Sequence, residues 1–302
     1  MSTIFITIPA YEDPLLMDTI EGALANAKYP DRLHFAIALI YNQNPPIESY
    51  TRNFNFVQYD PQTRPGVNLI RHELLSFYNN EDYFLMIDSH TMFAKNWDVD
   101  IINDHLKLRS IYGKKTIISK QVPPHVGPIT LDETTVWELR SGWPGGFAGQ
   151  LEARPKPYKQ NPGYYLTNYA SFHFFFAPGN FVKEVGITPI NNLYCEEPLL
   201  SYQSFMHGWT IFARSDYHHI GHNDRPYNLS LYKVDMPDEK IWGMQNDSEE
   251  VLQDIDNLLL YNTGRYRIQT SRTPLDFYRS INLEKDFLKF KETAVPDSKP
   301  FL

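Results

Sequence analysis

An apolar run, Tyr83-Phe-Leu-Met-Ile87, stops abruptly at Asp88-Ser-His90. Positions i and i+2 of an extended segment point the same way, so a carboxylate oxygen and an imidazole nitrogen can converge on one ion there. A hard oxygen beside a borderline nitrogen suits Mn²⁺ or a similar divalent cation better than Ca²⁺. The simpler reading of the same residues is a surface turn, with Asp88 capping the next segment and His90 solvated. Further groups with chemistry to offer lie downstream. Cys195-Glu-Glu197 places two carboxylates side by side at the start of a helical pattern, where they could give or take a proton. Tyr217-His-His-Ile-Gly-His222, followed by Arg225, supplies three imidazoles and a cation.

The elements that must position these groups are legible from the hydrophobic pattern. Five uncharged apolar residues before Asp88 read as a strand buried on both faces, as in a parallel α/β sheet. That puts Asp88 and His90 at a strand's carboxyl end, where ligand crevices of open α/β sheets lie. The first half of the chain alternates strand and helix signals. Ile4 to Ile8 is a strand ended by a polar turn from Pro9 to Pro14, and Leu15 to Ala27 a helix with Leu16, Ile20 and Leu24 on one face. Phe35 to Tyr41 and Phe54 to Tyr59 are strands, and Gly66 to Tyr78 is a helix carrying Val67, Ile70, Leu74 and Phe77. This punctuation implies parallel strands joined by right-handed crossovers.

After the strand Thr116 to Ser119, prolines and glycines from Pro123 to Gly149 mark a long irregular region, the kind that serves as a lid or binding loop. Within it, Trp143 and Pro144-Gly-Gly146 read either as that lid or as a loop packed by one aromatic anchor. Phe172 to Phe176 reads as a core strand, Pro198 to His207 as a helix, and Trp209 to Phe212 as a strand. Beyond these lie two helical patterns, Ser248 to Tyr261 and Leu275 to Lys291, with a polar tail from Thr293.

At 302 residues the chain can bury a full α/β core. Aromatic residues at 15% are abundant and favour a site lined with stacking surfaces. A net charge of −8 gives no general attraction to polyphosphate backbones or anionic membranes, and counts against nucleic acid without excluding a local basic groove. The longest apolar runs are too short to span a bilayer. The single cysteine, Cys195, rules out an internal disulfide, and the amino terminus lacks a signal-peptide core. A soluble protein of the cytoplasm is expected, with no membrane partner.

Taken in order, the Arg64-Pro-Gly66 turn and its helix through Arg71, the Asp88-Ser-His90 strand end, the Cys195-Glu-Glu197 turn and the His218 to Arg225 segment resemble the GT-A fold nucleotide-sugar glycosyltransferases. Within them the chain is most similar to the cytoplasmic GlcNAc transferases that modify hydroxyproline on a ubiquitin-ligase adaptor, and more distantly to the polypeptide GalNAc transferases. The resemblance covers roughly residues 3 to 230. It implies an α/β, Rossmann-like GT-A domain with a mostly parallel central sheet over residues 1–235. The nucleotide half would end near residue 120 and the acceptor half would run from 121 to 235, with a helical extension over 236–302.

The same resemblance implies a role for each matched residue. Asp88, His90 and His222 would hold Mn²⁺, or Mg²⁺ in its place, with His218 and His219 as rivals for the third position. Gly221 before His222 and Arg225 after it match the family pattern, and Arg225 would reach the diphosphate. Pro9, Ala10 and Tyr11 match the segment where uracil and ribose lie, with Tyr11 on the base or in the core and Asp13 or Glu12 on a hydroxyl. Ser89 sits in the same donor site. Arg64 and Arg71 fit an arginine-bearing helix on the nucleotide side, although a plain helix-surface position is open for Arg71.

Glu196 and Glu197 would lie beside the transferred sugar, Glu196 acting there and Glu197 beginning the helix; Cys195 replaces the family's usual glycine. The donor implied is UDP-GlcNAc or a related UDP-hexose, transferred with retention to a protein hydroxyl. A hydroxymethylated DNA base is a rival acceptor. A non-catalytic nucleotide-sugar or glycan-binding protein is a second reading of the same fold.

Overall fold

The computed structural model describes residues 2–42, 45–47, 50, 53–61, 66–120, 122, 163–190, 195–213 and 248–291 with their side chains, and the backbone alone of 124–125, 135–141, 151–157, 214, 220–223 and 292–293. From the amino end, β1 (Ile4–Tyr11) turns into α1 (Leu16–Asn26), followed by β2 (Leu33–Ile40), β3 (Phe54–Tyr59) and α2 (Val67–Leu74). Then come β4 (Tyr83–Ile87), β5 (Thr91–Phe93), α3 (Trp97–Tyr112) and β6 (Thr116–Ser119). The middle of the chain holds β7 (Pro124–His125), β8 (Thr135–Ser141), β9 (Leu151–Pro157), β10 (Tyr164–Leu166), β11 (Phe174–Pro178), α4 (Phe181–Glu184), α5 (Glu196–Met206), β12 (Thr210–Arg214) and β13 (Ile220–Asn223). The carboxyl-terminal helices are α6 (Glu249–Asp256), extended by a π turn to Tyr261, α7 (Pro274–Ser280) and α8 (Glu284–Thr293).

An eight-stranded sheet in the order β10-β12-β6-β11-β4-β1-β2-β3 organises the described residues. Strands β3, β2, β1 and β4 are mutually parallel, while β11 runs antiparallel between β4 and β6. Every residue of β4 is buried, which its uninterrupted apolar run requires. Alternate side chains of the sheet feed two cores. Ile4, Ile6 and Ile8 of β1 pack with Leu16 and Ile20 of α1 and with Trp97 and Ile101 of α3. Phe5, Phe84, Met86 and Phe175 face the other way, onto Ile70 and Leu74 of α2 and onto Phe181 and Trp209.

A second, three-stranded sheet, β5-β13-β7, matters more for function than its size suggests. It pairs the residues just after His90 with the strand that contains His222. Thr91 lies opposite His222, and Phe93 opposite Ile220.

Several elements differ from the sequence expectation for identifiable reasons. Strand β1 continues through Pro9 to Tyr11 instead of ending at Ile8. Its pairing with β4 stops at Thr7, whereas pairing with β2 runs on to Tyr11, so Pro9 sits where one flank of the strand has no ladder to supply. The irregular region contains an antiparallel β8–β9 hairpin, while Trp143, Pro144 and the glycines beside them lie outside the described residues. The expected helix from Leu275 to Lys291 is two helices. Ile281 and Leu283 are both buried, and residues two apart cannot share one face of a continuous helix. Asn282 takes the left-handed conformation between them, and Arg279 spans the break to Glu284 at 2.7 Å. At Leu258, Leu259 and Leu260 the π turn buries three consecutive leucines. These carboxyl-terminal residues share one core with Leu199, Tyr202 and Met206 of α5.

Gly179, just after β11, is fixed by space and not by torsion. Its N–H donates to the Asp82 carbonyl at 2.8 Å, and a Cβ there would meet the Glu81 carbonyl at 1.9 Å and the Tyr78 hydroxyl at 2.6 Å. Gly179→Ala is therefore expected to destabilise the fold by about 1–3 kcal/mol through overpacking. Denaturant unfolding would read this as a lower midpoint with an unchanged slope, and an unchanged midpoint would refute it.

Candidate active site

Asp88, Ser89 and His90 form the turn at the carboxyl end of β4, and the first βα turn, after β1, lies beside it. The two turns are bound together by side chains. Asp13 Oδ2 accepts from Ser89 Oγ at 2.6 Å and lies 2.9 Å from His90 Nδ1, while its Oδ1 accepts from the Leu15 N–H at 3.0 Å. The Tyr41 hydroxyl, at the end of β2, donates to the Asp13 carbonyl at 2.7 Å and accepts from the Asp13 N–H at 3.1 Å. From α1, Thr19 Oγ1 donates to the Ser89 carbonyl at 2.7 Å and accepts from the Thr91 N–H at 2.8 Å.

This arrangement corrects two expectations. The Asp13 side chain is fully buried, so it is not presented to a ribose hydroxyl. Ser89 is buried as well, with its hydroxyl turned inward onto Asp13. Glu12 is likewise engaged, accepting from the Asn42 backbone and side-chain nitrogens at 2.6 and 2.7 Å. Pro9, Ala10 and Tyr11 occupy the last positions of β1; Ala10 is buried and Tyr11 partly exposed.

Arg71 does not lie on the helix surface. It is buried on α2, with its guanidinium 3.9 Å from the centre of the Phe172 ring. Its Nη1 bonds Glu196 Oε2 at 2.6 Å, and its Nη2 lies 3.8 Å from Asp88 Oδ1. On the other side of Asp88, His173 Nε2 stands 3.9 Å from Oδ2. Sequence reasoning passed over His173 because it interrupts an aromatic run that belongs to the core. A histidine inside so apolar a stretch was the available signal.

Glu196 and Glu197 open α5, and Cys195 before them is buried. The Ser201 hydroxyl of the same helix donates to the Glu197 carbonyl at 2.6 Å and accepts from the Ala170 N–H at 2.8 Å, which fixes the Tyr169 to Phe172 segment against the helix start. Burial pushes the Glu196 carboxyl from its ordinary 4.5 up to about 8, against the pull of Arg71 and with a further push from Glu197. Burial likewise raises Glu197 to about 7, opposed first by Arg71, while the Asp88 charge adds to the rise and the Phe172 N–H opposes it. Glu196 is held inside by Arg71, and Glu197 is the less enclosed of the two.

Arg64, Arg225, His218 and His219 lie outside the described residues. His222 is described by its backbone, which the β5–β13 register sets opposite Thr91, the neighbour of His90. Among the described residues no cluster of three metal-ligating side chains is complete, and the His222 side chain is not among them.

A mixed sheet with crossover helices, carrying Asp-Ser-His at the end of its central strand, is the GT-A fold of the glycosyltransferases. Solved glycosyltransferase structures share it. S. aureus TarS 1–349 in complex with UDP-GlcNAc superposes with a TM-score of 0.57 at 11% identity over 97% of this chain and 73% of that one. GalNAc-T7 with UDP, GalNAc and Mn²⁺ gives 0.53 at 13% identity over 74% of this chain. The chain spans only 44% of the GalNAc-T7 chain. No curated protein matches it in sequence. The chain belongs to the Glycosyltransferase (GlcNAc) family, whose profile matches residues 42–250. The first βα turn lies ahead of the matched stretch.

The raised carboxyls make a pH prediction. A group that binds its proton more tightly in the folded chain contributes stability that is complete below its unfolded pKa and is lost as pH rises through the folded one. For Glu196 and Glu197 that loss runs from about 4.5 through about 7 and 8. Glu196→Gln/Glu197→Gln removes both titrations. Its melting temperature should gain on the wild type's as pH is raised from 5 to 9, and a gap independent of pH would show that these carboxyls titrate normally.

Proposed function

We propose that this protein is a divalent-cation-dependent glycosyltransferase that moves GlcNAc, or a related hexose, from a UDP-sugar to an acceptor hydroxyl with retention of configuration. The observation that carries the proposal is the place of Asp88 and His90 in one turn at the end of β4, with the strand of His222 paired to the residues that follow. Family membership supplies the transferase class. The UDP and UDP-GlcNAc recorded with the two similar structures supply the donor class, and the Mn²⁺ recorded with one of them the cation.

The residues present fit such a cation. Asp88 and His90 are both partly exposed, and they offer one oxygen and one imidazole nitrogen. A carboxylate on the far nitrogen of the ring is the usual outer partner of a metal-binding histidine. His222 would complete an O, N, N donor set that suits Mn²⁺. The bound cation would neutralise the negative charge that grows on the departing diphosphate.

The rest falls to the chain. Tyr11, at the end of β1, would meet the base, and the family resemblance gives Arg64 and Arg225 the diphosphate. Arg71 holds Glu196 in place and offsets the charge of Asp88 behind the site. Glu197, with a pKa near neutrality, can exchange a proton or stabilise positive charge at the anomeric carbon. Resemblance to the hydroxyproline-modifying GlcNAc transferases supports a protein hydroxyl as acceptor and the cytoplasm as the compartment. Among the described residues no helix is long and apolar enough to cross a membrane.

Incubating the purified protein with Mn²⁺ and each nucleotide sugar in turn, and following release of nucleoside diphosphate, tests the donor. UDP should appear from UDP-GlcNAc or a related UDP-hexose, and full turnover in excess chelator would sink the cation. Asp88→Ala and His90→Ala should each lower turnover at least about 100-fold, on the scale of losing one group that stabilises transition-state charge. Glu197→Gln is expected to lower kcat strongly while leaving UDP affinity nearly unchanged, the pattern of a group acting mainly in the transition state. Normal turnover of Glu197→Gln, with Glu196→Gln inactive, would return the role to Glu196.

A further inference from the structure

The geometry points to Asp13 as a positioning residue for the cation site: its buried carboxylate selects the tautomer and orientation in which His90 presents Nε2. The inference rests on the cation reading above and goes beyond it, giving Asp13 a role toward His90 in place of the hydroxyl contact that the resemblance implied.

Four observations support it. First, the side chain is 0% exposed and its hydrogen bonds run to protein groups. Second, the groups around the carboxylate are donors: Ser89 Oγ at 2.6 Å and the Leu15 N–H at 3.0 Å leave His90 Nδ1, at 2.9 Å, to present its hydrogen as well. An ionised carboxylate oxygen can only accept, so of the two neutral tautomers the contact selects the one with the proton on Nδ1 and the lone pair on Nε2, the form a cation requires. Third, the Asp13 backbone is itself clamped on both its N–H and its carbonyl by the Tyr41 hydroxyl, so the carboxylate is held in place before any ligand arrives. Fourth, the same turn has an independent anchor in Thr19, which bonds Ser89 and Thr91. The turn therefore has a second anchor beside Asp13, and what Asp13 alone supplies is the hold on the imidazole.

The test uses the full chain and reads two quantities other than turnover. Ring ¹⁵N spectra of the metal-free protein at pH 8, with His90 assigned through His90→Gln, should place the proton on Nδ1 in the wild type and move it toward Nε2 in Asp13→Ala. Mn²⁺ affinity in the presence of UDP, measured by electron paramagnetic resonance, should fall about 10- to 100-fold in Asp13→Ala and in the shape-conserving Asp13→Asn, the usual effect of losing such an outer partner. Thr19→Val is the comparison. It removes the other anchor, so it should lower the melting temperature while leaving the His90 tautomer and Mn²⁺ affinity close to wild type.

A wild-type His90 protonated on Nε2 would overturn the inference without recourse to any variant. So would unchanged Mn²⁺ affinity in folded Asp13→Asn, or an equal loss in Thr19→Val, which would reduce Asp13 to a general anchor of the turn. Wild-type protein that binds no Mn²⁺ with UDP would instead overturn the cation reading, and this inference with it.

Discussion

One buried carboxylate ties the amino-terminal βα turn to the turn after the central strand, and the geometry of the whole site hangs on that tie. Parallel strands alone would bring β1 and β4 side by side, but they would leave the loops at their ends free to diverge. Asp13 closes that freedom with bonds to Ser89 and His90, while Tyr41 and Thr19 hold the same two loops from β2 and α1. An acidic group with no exposure is costly unless its acceptors are met. Here a hydroxyl, an imidazole and a backbone N–H meet them, and the cost becomes rigidity at the place where rigidity is useful.

On the opposite side of Asp88 the controlling interaction is electrostatic. Asp88, Glu196 and Glu197 converge around one guanidinium, stacked on Phe172. Burial disfavours the charged form of both glutamates, and one positive charge cannot offset that beside three negative ones, so both hold their protons to near-neutral pH. Removing Arg71 would leave Glu196 without its partner in a desolvated setting, a worse state than either a complete pair or an apolar replacement. The helix start, the strand end and the α2 helix thus form one electrostatic unit, in which Glu196 joins Arg71 from 125 residues away in sequence.

Much of this architecture was legible in the residues. The apolar run from Tyr83 to Ile87 announced a central strand, and the helical spacing of Leu16 and Ile20 or of Ile70 and Leu74 announced the faces that cover the sheet. The order of Asp88, His90, Glu196 and His222 pointed to the fold and family. What the sequence could not disclose was direction. Asp13 and Arg71 were read as ligand contacts because their types and places suit ligands, yet both side chains turn inward. Whether a polar residue faces a pocket or a neighbouring loop depends on contacts over 77 residues for Asp13 with His90, and over 125 for Arg71 with Glu196. No local pattern encodes such contacts. The split between α7 and α8 failed for the opposite reason. Ile281 and Leu283 held the information, but their spacing was absorbed into a longer amphipathic pattern.

The pairing of β5 with β13 also has a bearing on how the molecule comes into being. Residues 91–93 and 220–222 meet only after everything between them has found its place. Contacts of such long sequence separation carry the largest loop-closure cost and form late, whereas β1, α1 and β2 can organise from near neighbours. During synthesis the Asp88 and His90 turn is made well before the strand of His222. A partly built chain holds half of the site and not the whole, and a ligand that needs both halves stabilises only the finished fold.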